Sequence, residues 1–317
     1  MDSKKAYSQL CENENLSVFM QDWWLDVVCG AANWQPILIF DKNEKIIGAT
    51  FFFQKKKFGF LILTQPPLTP ITQVWYRPLP NDAQHKEEVY KEEILKKIIG
   101  KVPKFSFFQV NFHFSLKNHL PFHWAGFKQT TRYTYLIDLR LEIDEIYQNL
   151  QHNVRTNLKK AEKNTIISTC SGSKIIYETL NFSFSQKKIK TPFSYEKLDK
   201  LHHKLVENKS VFAYSASDEK NEIIAICYII LDKKTAYFLL SGKKSDKNNA
   251  AMSLLIWKSI QKAKELGCHS FDFDGSVLES IEPFFRSFGG ERKSYFQIFK
   301  ANNKFLDFLF TLIRLNA

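Results

Sequence analysis

The chain has 317 residues, 44% of them hydrophobic and 25% charged, with 45 Lys and Arg against 33 Asp and Glu. That is ordinary globular composition, long enough for about two domains and for a core that needs no disulfide or metal staple, and it excludes a disordered chain. Five scattered cysteines with no CxxC pair read as reduced, cytoplasmic usage and exclude a thiolate-rich zinc site.

The net charge of +12 invites an anionic partner: nucleic acid, a phosphorylated substrate, or an anionic membrane face touched peripherally. A lysine bias across the whole chain is the competing explanation, because Arg occurs only at positions 77, 132, 140, 155, 286, 292 and 314. Those arginines are the informative cations, since their planar forks suit phosphate and carboxylate. No signal-peptide pattern follows Lys4 and Lys5, and the longest apolar run, 223–231, falls far short of the ~20 residues of a spanning helix. The expectation is a soluble, cytoplasmic monomer.

In chain order, residues 18–32 read as a helix closing near Gly30. Over 41–64 a polar turn leads into a β-rich run, a Lys-Lys turn and a second apolar run, the pattern of a hairpin. The proline-rich stretch 65–80 is loop, 82–99 a charged helix ended by Gly100 and Pro103, and 105–114 and 133–139 are strand-like. A helix is expected over 143–163, where Ile146, Leu150, Val154 and Leu158 form one apolar stripe, and another over 195–209. Residues 218–241 then align without a gap onto 41–64, an offset of 177 (41 to 218), with identities such as Asp41/Asp218, Ile46/Ile223 and Lys56/Lys233. This reads as two copies of one domain, against the alternative that any two hairpins look alike.

A helix over 250–266 follows, with Asn249 as N-cap and Gly267 as its stop. Then come a strand (269–274), a short helix around Pro283 and a last strand (294–300). The amphipathic tail 304–315 reads as a helix packed on the body and not as a membrane anchor. The mixed order specifies an α/β fold (α+β, mixed sheet) in two domains, 1–135 and 136–317, the second carrying the site.

Chemistry concentrates near the end. On a strand, Asp272 and Asp274 share the face opposite Phe271 and Phe273, and paired carboxylates can orient or deprotonate an amine. The competing reading is a solvent-facing strand end with Ser276 and Glu279 as a capping box. Arg286 stands among Phe284, Phe285 and Phe288 before Gly289-Gly290, as an anion contact on an otherwise core-facing helix. Ser241 and Gly242 lead through a basic loop into Asn248, Asn249 and Ala250, where a helix N-terminus offers free N–H groups to a phosphate. Neither a Walker nor a Rossmann pattern is present, and no GxSxG, HExxH or zinc spacing occurs.

Together these blocks resemble the FemAB-like branch of the GNAT acyltransferase superfamily. The resemblance covers nearly the whole chain. It rests on Val18-Phe19 with Trp24-Leu25-Asp26, on Gln65-Pro66-Pro67-Leu68-Thr69, on 155–161 (RTNLKKA), and on 271–276 with 281–290 and Tyr295. It implies two tandem GNAT-like domains and an acyl donor lying between two splayed strands, at Ser241, Gly242 and 248–251. Within these blocks Ser276 and Tyr295 are donor- or substrate-binding candidates, and Arg155, Lys159 and Lys160 face either donor or acceptor phosphates or merely solvent. The reading of the residues themselves makes Asp272 and Asp274 (orienting or deprotonating the amine) and Arg286 (holding an anionic part of a substrate) the catalytic candidates. The sequence departs from the pattern twice. Residues 244–251 hold no glycine where GNAT enzymes have a Gly-rich pyrophosphate loop, and Phe285 stands at the lysine position of the Fem F-K-x-x-F-G motif.

The expected activity is N-acyl transfer: an amine attacks a thioester or aminoacyl ester, with no tightly bound cofactor and with acyl-CoA or aminoacyl-tRNA as co-substrate. The acceptor is a small-molecule or peptidoglycan-precursor-like amine, and tRNA is a partner if it carries the donor. The alternative is a non-catalytic, basic RNA- or phospholigand-binding protein on a degenerate GNAT fold.

Overall fold

A computed structural model describes residues 2–80, 85–245, 249–275 and 278–302. The chain forms two compact units, one of Met1–Arg132 together with the chain from Ser294, the other of Tyr133–Lys293. The first begins with α1 (Ser3–Asn13), a 3-10 turn (Val18–Met20) and α2 (Asp22–Cys29), which Gly30 ends at φ +82°. Strands β1 (Trp34–Phe40), β2 (Ile46–Lys57), β3 (Phe60–Thr64) and β4 (Trp75–Tyr76) follow, then α3 (Glu87–Gly100), β5 (Phe107–Asn111) and α4 (Leu120–Trp124).

The second unit takes β6 (Lys128–Asp138) from Tyr133 onward, then α5 (Ile143–Asn149), α6 (His152–Asn164), β7 (Ile166–Thr169), α7 (Ser173–Gln186) and α8 (Tyr195–Glu207). It continues with β8 (Val211–Ser217), β9 (Ile223–Asp232), β10 (Thr235–Lys243), α9 (Asn249–Glu265), β11 (Ser270–Asp272) and α10 (Glu282–Arg286). The last strand is β12 (Glu291–Ala301). Among the described residues no helix is long and apolar enough to cross a membrane.

The strand order within the first unit is β1-β2-β3-β5-β12, with β4 on β2, and within the second it is β7-β8-β9-β10-β11-β6. Each unit therefore has an antiparallel meander, a helical crossover to a parallel strand, and an antiparallel closing strand. The sequence repeat is visible at atomic detail. Asp41 Oδ1 accepts from the amides of Asn43 and Lys45, and Asp218 Oδ1 from those of Lys220 and Glu222. Glu44 and Asn221, also 177 apart, take left-handed φ values of 59° and 60° in those turns. A bulge falls at Ile39/Phe40 in β1 and at Ala216/Ser217 in β8, at the same offset.

The gapless alignment stops at the next turn. Phe53 pairs with Thr64, but Ile230, its counterpart, pairs with Tyr237 and not with Ser241. The second apolar run thus keeps its composition while its register slides.

Three expectations change. The closing strand of the first unit is β12, whose residues 297–301 pair with β5, whereas the division at 135/136 put it with the second half. The helix expected over 143–163 is two helices, because Leu150 and Gln151 are extended and the Gln151 amide donates to Ser287 O at 2.9 Å. Its apolar stripe survives the break, with Ile146, Leu150, Val154 and Leu158 all buried in the core of the second unit. Finally, α1, β1, α4, β7, α7 and β8 had no counterpart among the expected elements.

Candidate active site

Parallel strands β10 and β11 pair only over residues 235–237 with 270–272. Beyond that point β11 ends, while β10 runs on to Lys243 beside β9. Leu239 is unmatched between the pairs Phe238↔Ile229 and Leu240↔Tyr228. A bulge of this kind bends its strand and re-aims the side chains, here where the two strands part.

One face of this region is aromatic. Phe271 and Phe273 pack with Phe238, Phe285 and Phe288 in a core that also takes in the buried sides of α6 and α9. Several donor candidates gather on this face. Ser241 is exposed opposite Cys227, whose Sγ lies 3.6 Å from Met252 Sδ in the first turn of α9. Helix α6 joins through Asn157 Nδ2, which donates to Ser253 Oγ at 3.3 Å, and Ser253 Oγ donates to Asn249 O at 3.0 Å. Asn249 is the first residue of α9, its Oδ1 accepting from Lys243 Nζ, and Ala250 packs against the core. On α6, Arg155 is half-buried and donates to Gln148 O at 3.1 Å, while Lys159 is exposed.

Gly242 belongs elsewhere. A Cβ there would lie 3.1 Å from Thr179 O and 3.3 Å from Leu180 Cα, so its smallness seats α7 on β10 and not a ligand. Asn248, Ser276 and the tail 304–315 lie outside the described residues.

The opposite face carries Asp272, 2% exposed. Its Oδ1 accepts from Thr134 Oγ1 at 2.5 Å and from the Asp274 amide at 2.9 Å. Burial pushes its carboxyl up from 3.8 to about 6, against the lowering pull of those two hydrogen bonds. Tyr237 is its register partner on β10; burial, then the nearby carboxylates Asp272, Asp232 and Asp274, hold that phenol well above its ordinary value.

The paired-face expectation fails at Asp274. The strand ends at Asp272, and Asp274 turns off it at φ +61° into Gly275 at φ +69°, where a Cβ would lie 2.1 Å from Tyr133 O. Asp274 is half-buried, and its carboxyl is raised by burial and then by the charge of Asp272.

Arg286 does not join the carboxylates. Its Nε lies 3.4 Å from Glu282 Oε1, which also accepts from Tyr135 Oη. Tyr135 and Thr134 are consecutive on β6 and point to opposite faces, so the Glu282–Arg286 pair and Asp272 lie on different sides of the sheet. Tyr295, placed with the second half by its resemblance block, is a buried residue of β12 in the first unit.

Thr134 and Tyr237 are the residues that sequence reasoning missed. Each is an unremarkable strand residue until pairing sets it beside Asp272. None of the predicted site residues lines the cavity of about 250 Å³ in the first unit, which is walled by Tyr76, Arg77, Glu87, Tyr90 and Lys91 among others.

No family model matches the chain, and no curated protein matches it. Solved structures do. FemX superposes with a TM-score of 0.64 at 12% identity, covering 93% of this chain and 96% of FemX. A structure described as L-PGS from Bacillus licheniformis gives 0.57 at 12% identity, covering 99% and 96%. A tandem GNAT protein from the clavulanic acid biosynthesis pathway gives 0.50 at 8% identity, covering 87% and 93%. The chain has the FemAB-like, GNAT-type acyltransferase fold.

Proposed function

We propose that this protein is an acyl- or aminoacyltransferase that moves its group from a thioester or aminoacyl ester to an amine. The parting of β10 from β11 at Tyr237 and Asp272, with the bulge at Leu239 and the start of α9 on one side, is the observation that carries this reading. From Phe238 onward β10 has no β11 partner, and an extended donor arm can pair with such an edge. The amine nitrogen attacks the carbonyl carbon, a C–N bond forms, and the C–S or C–O bond to the carrier breaks. The nitrogen loses a proton and the departing thiolate or alkoxide gains one.

Asp274, at the strand end, is the residue proposed to take the amine's proton; burial and the charge of Asp272 raise its carboxyl above the ordinary carboxylate value, which makes its ionised form a stronger base. Asp272 is a positioning residue, since its Oδ1 holds the Asp274 amide. Arg155, Lys159 and the first turn of α9 would meet the anionic part of the donor, acyl-CoA or aminoacyl-tRNA. The acceptor would be a small-molecule or peptidoglycan-precursor-like amine.

The test is turnover with panels of acyl-CoA and aminoacyl-tRNA donors and amine acceptors, followed by thiol or tRNA release. Asp274→Asn should melt no lower than wild type and lose about 10²-fold in turnover. Unchanged turnover per folded molecule would remove Asp274 from the chemistry, and no release from any donor would remove the transferase reading.

A further inference from the structure

The hairpin between β2 and β3 breaks a local rule without a packing gain. Lys57 pairs with Phe60, so the turn is Phe58-Gly59, and both residues have positive φ, 50° and 78°. Two-residue turns with positive φ at both positions favour Asn-Gly, because a bulky side chain at the first position is strained. Here that position holds a phenylalanine that is 87% exposed. The corresponding hairpin of the second unit carries Lys233-Lys234 at its tip, Lys233 also left-handed at φ 55°, so the exposed aromatic, and not the left-handed backbone, is what sets the first hairpin apart. Strain accepted for an exposed apolar side chain is the mark of a contact surface.

The surroundings of Phe58 define the partner. Lys55, Lys56 and Lys57 precede it on β2 and are all exposed. Alternation puts Lys55 and Lys57 on one side of the ribbon and Lys56 on the other, so cations flank both faces of an apolar apex. Phe60, Leu61 and Ile62 on the paired strand are only half-buried and extend the apolar surface below the tip.

The described chain also ends beside this ribbon. The Asn302 amide donates to Ser106 O at 3.0 Å, and the Ser106 amide donates to Leu61 O at 2.7 Å. The sequence beyond it, 303–317, contains Phe305, Leu306, Phe308, Leu309, Phe310, Leu312 and Ile313.

We infer that the β2–β3 tip docks on an anionic lipid surface, Phe58 entering the boundary between headgroups and acyl chains and Lys55, Lys56 and Lys57 lying at the phosphates. An apolar wedge with a basic collar matches both layers of such a surface, and each lysine near it strengthens binding about fivefold. A nucleic-acid strand fits less well. The Lys57 ammonium stands over the Phe58 ring at 5.4 Å, occupying a face on which a base would stack.

The experiment is co-sedimentation of the full chain with vesicles of phosphatidylcholine alone or with 30% phosphatidylglycerol. Binding should be about 100-fold stronger to the anionic vesicles. Phe58→Asn should weaken it about tenfold while raising the melting temperature by about 2 °C, since Asn suits the left-handed position, which separates lost contact from lost fold. The triple variant K55Q/K56Q/K57Q should lose about 100-fold on anionic vesicles and little on neutral ones. The inference is overturned if the wild-type chain ignores anionic vesicles, if Phe58→Asn binds them as well as wild type, or if Phe58→Asn weakens only binding to a single-stranded RNA probe.

Discussion

Replacing Asp272 by Asn should make the stability difference between variant and wild type depend on pH. In the unfolded chain this carboxyl ionises near 3.8, and in the folded chain near 6. Between those values the folded protein holds a proton that the unfolded chain has released. The group's stabilising contribution is therefore complete below pH 3.8 and is lost as pH rises through 6. At ~1.4 kcal/mol per pH unit of separation, the loss amounts to about 3 kcal/mol. Asp272 is 2% exposed, so solvent screening takes little from that figure.

The asparagine cannot ionise. It still presents an oxygen to Thr134 Oγ1 and the Asp274 amide, the two donors that bond Oδ1. Its new NH₂ group needs an acceptor on the other side, a cost of about 1–3 kcal/mol if none is found, but that cost is the same at every pH. Urea unfolding of both proteins from pH 4 to 8 separates the two effects. The stability of Asp272→Asn relative to wild type should climb by about 2–3 kcal/mol between pH 4 and 7 and then level off. A flat difference across that range would mean that the folded carboxyl ionises as it does in the unfolded chain, and the buried, hydrogen-bonded account of Asp272 would be wrong.

Two glycines with φ +78° form a matched pair: a Cβ on Gly267 meets nothing within 4 Å, whereas on Gly289 it would lie 2.2 Å from Asn149 O. Gly267→Ala should cost about 1 kcal/mol for the left-handed backbone alone. Gly289→Ala should cost several degrees more in thermal melting, because a backbone oxygen cannot step aside; equal losses would contradict the docking of this turn on the break between α5 and α6. Arg286→Met should change stability by less than about 1 kcal/mol, since the Glu282 pair is half exposed. If turnover develops as proposed, its kcat should also hold, and a large fall in kcat would restore Arg286 to the reaction. Asp41→Ala and Asp218→Ala each remove an acceptor of two turn amides and should cost similar amounts, about 1–2 kcal/mol, in unfolding experiments. A loss at only one of them would argue against equivalent turns.

Local pattern was enough for much of the architecture. The Asp41 and Asp218 turns, the start of β2 and β9, and the stripe Ile146, Leu150, Val154 and Leu158 are set by residues within a few positions of one another, and all were legible in the sequence. The departures share one cause: pairing between residues distant in sequence. The strand β12 reads as the end of the second half, but its backbone bonds with β5, some 190 residues earlier. The helix over 143–163 has a continuous apolar period, yet the amide of Gln151 is drawn to Ser287 O and breaks it. Gly242 looks like room for a ligand and is room for α7.

The same limit governs the site. Period 2 placed Asp272 and Asp274 on one face only as long as the strand continued, and the close approach of Gly275 to Tyr133 O ends it. Composition and spacing selected Asp272. What that residue does was decided by Thr134 and Tyr237, strands away in sequence, because burial and hydrogen bonding fix whether a carboxylate faces water, and only the assembled sheet supplies them.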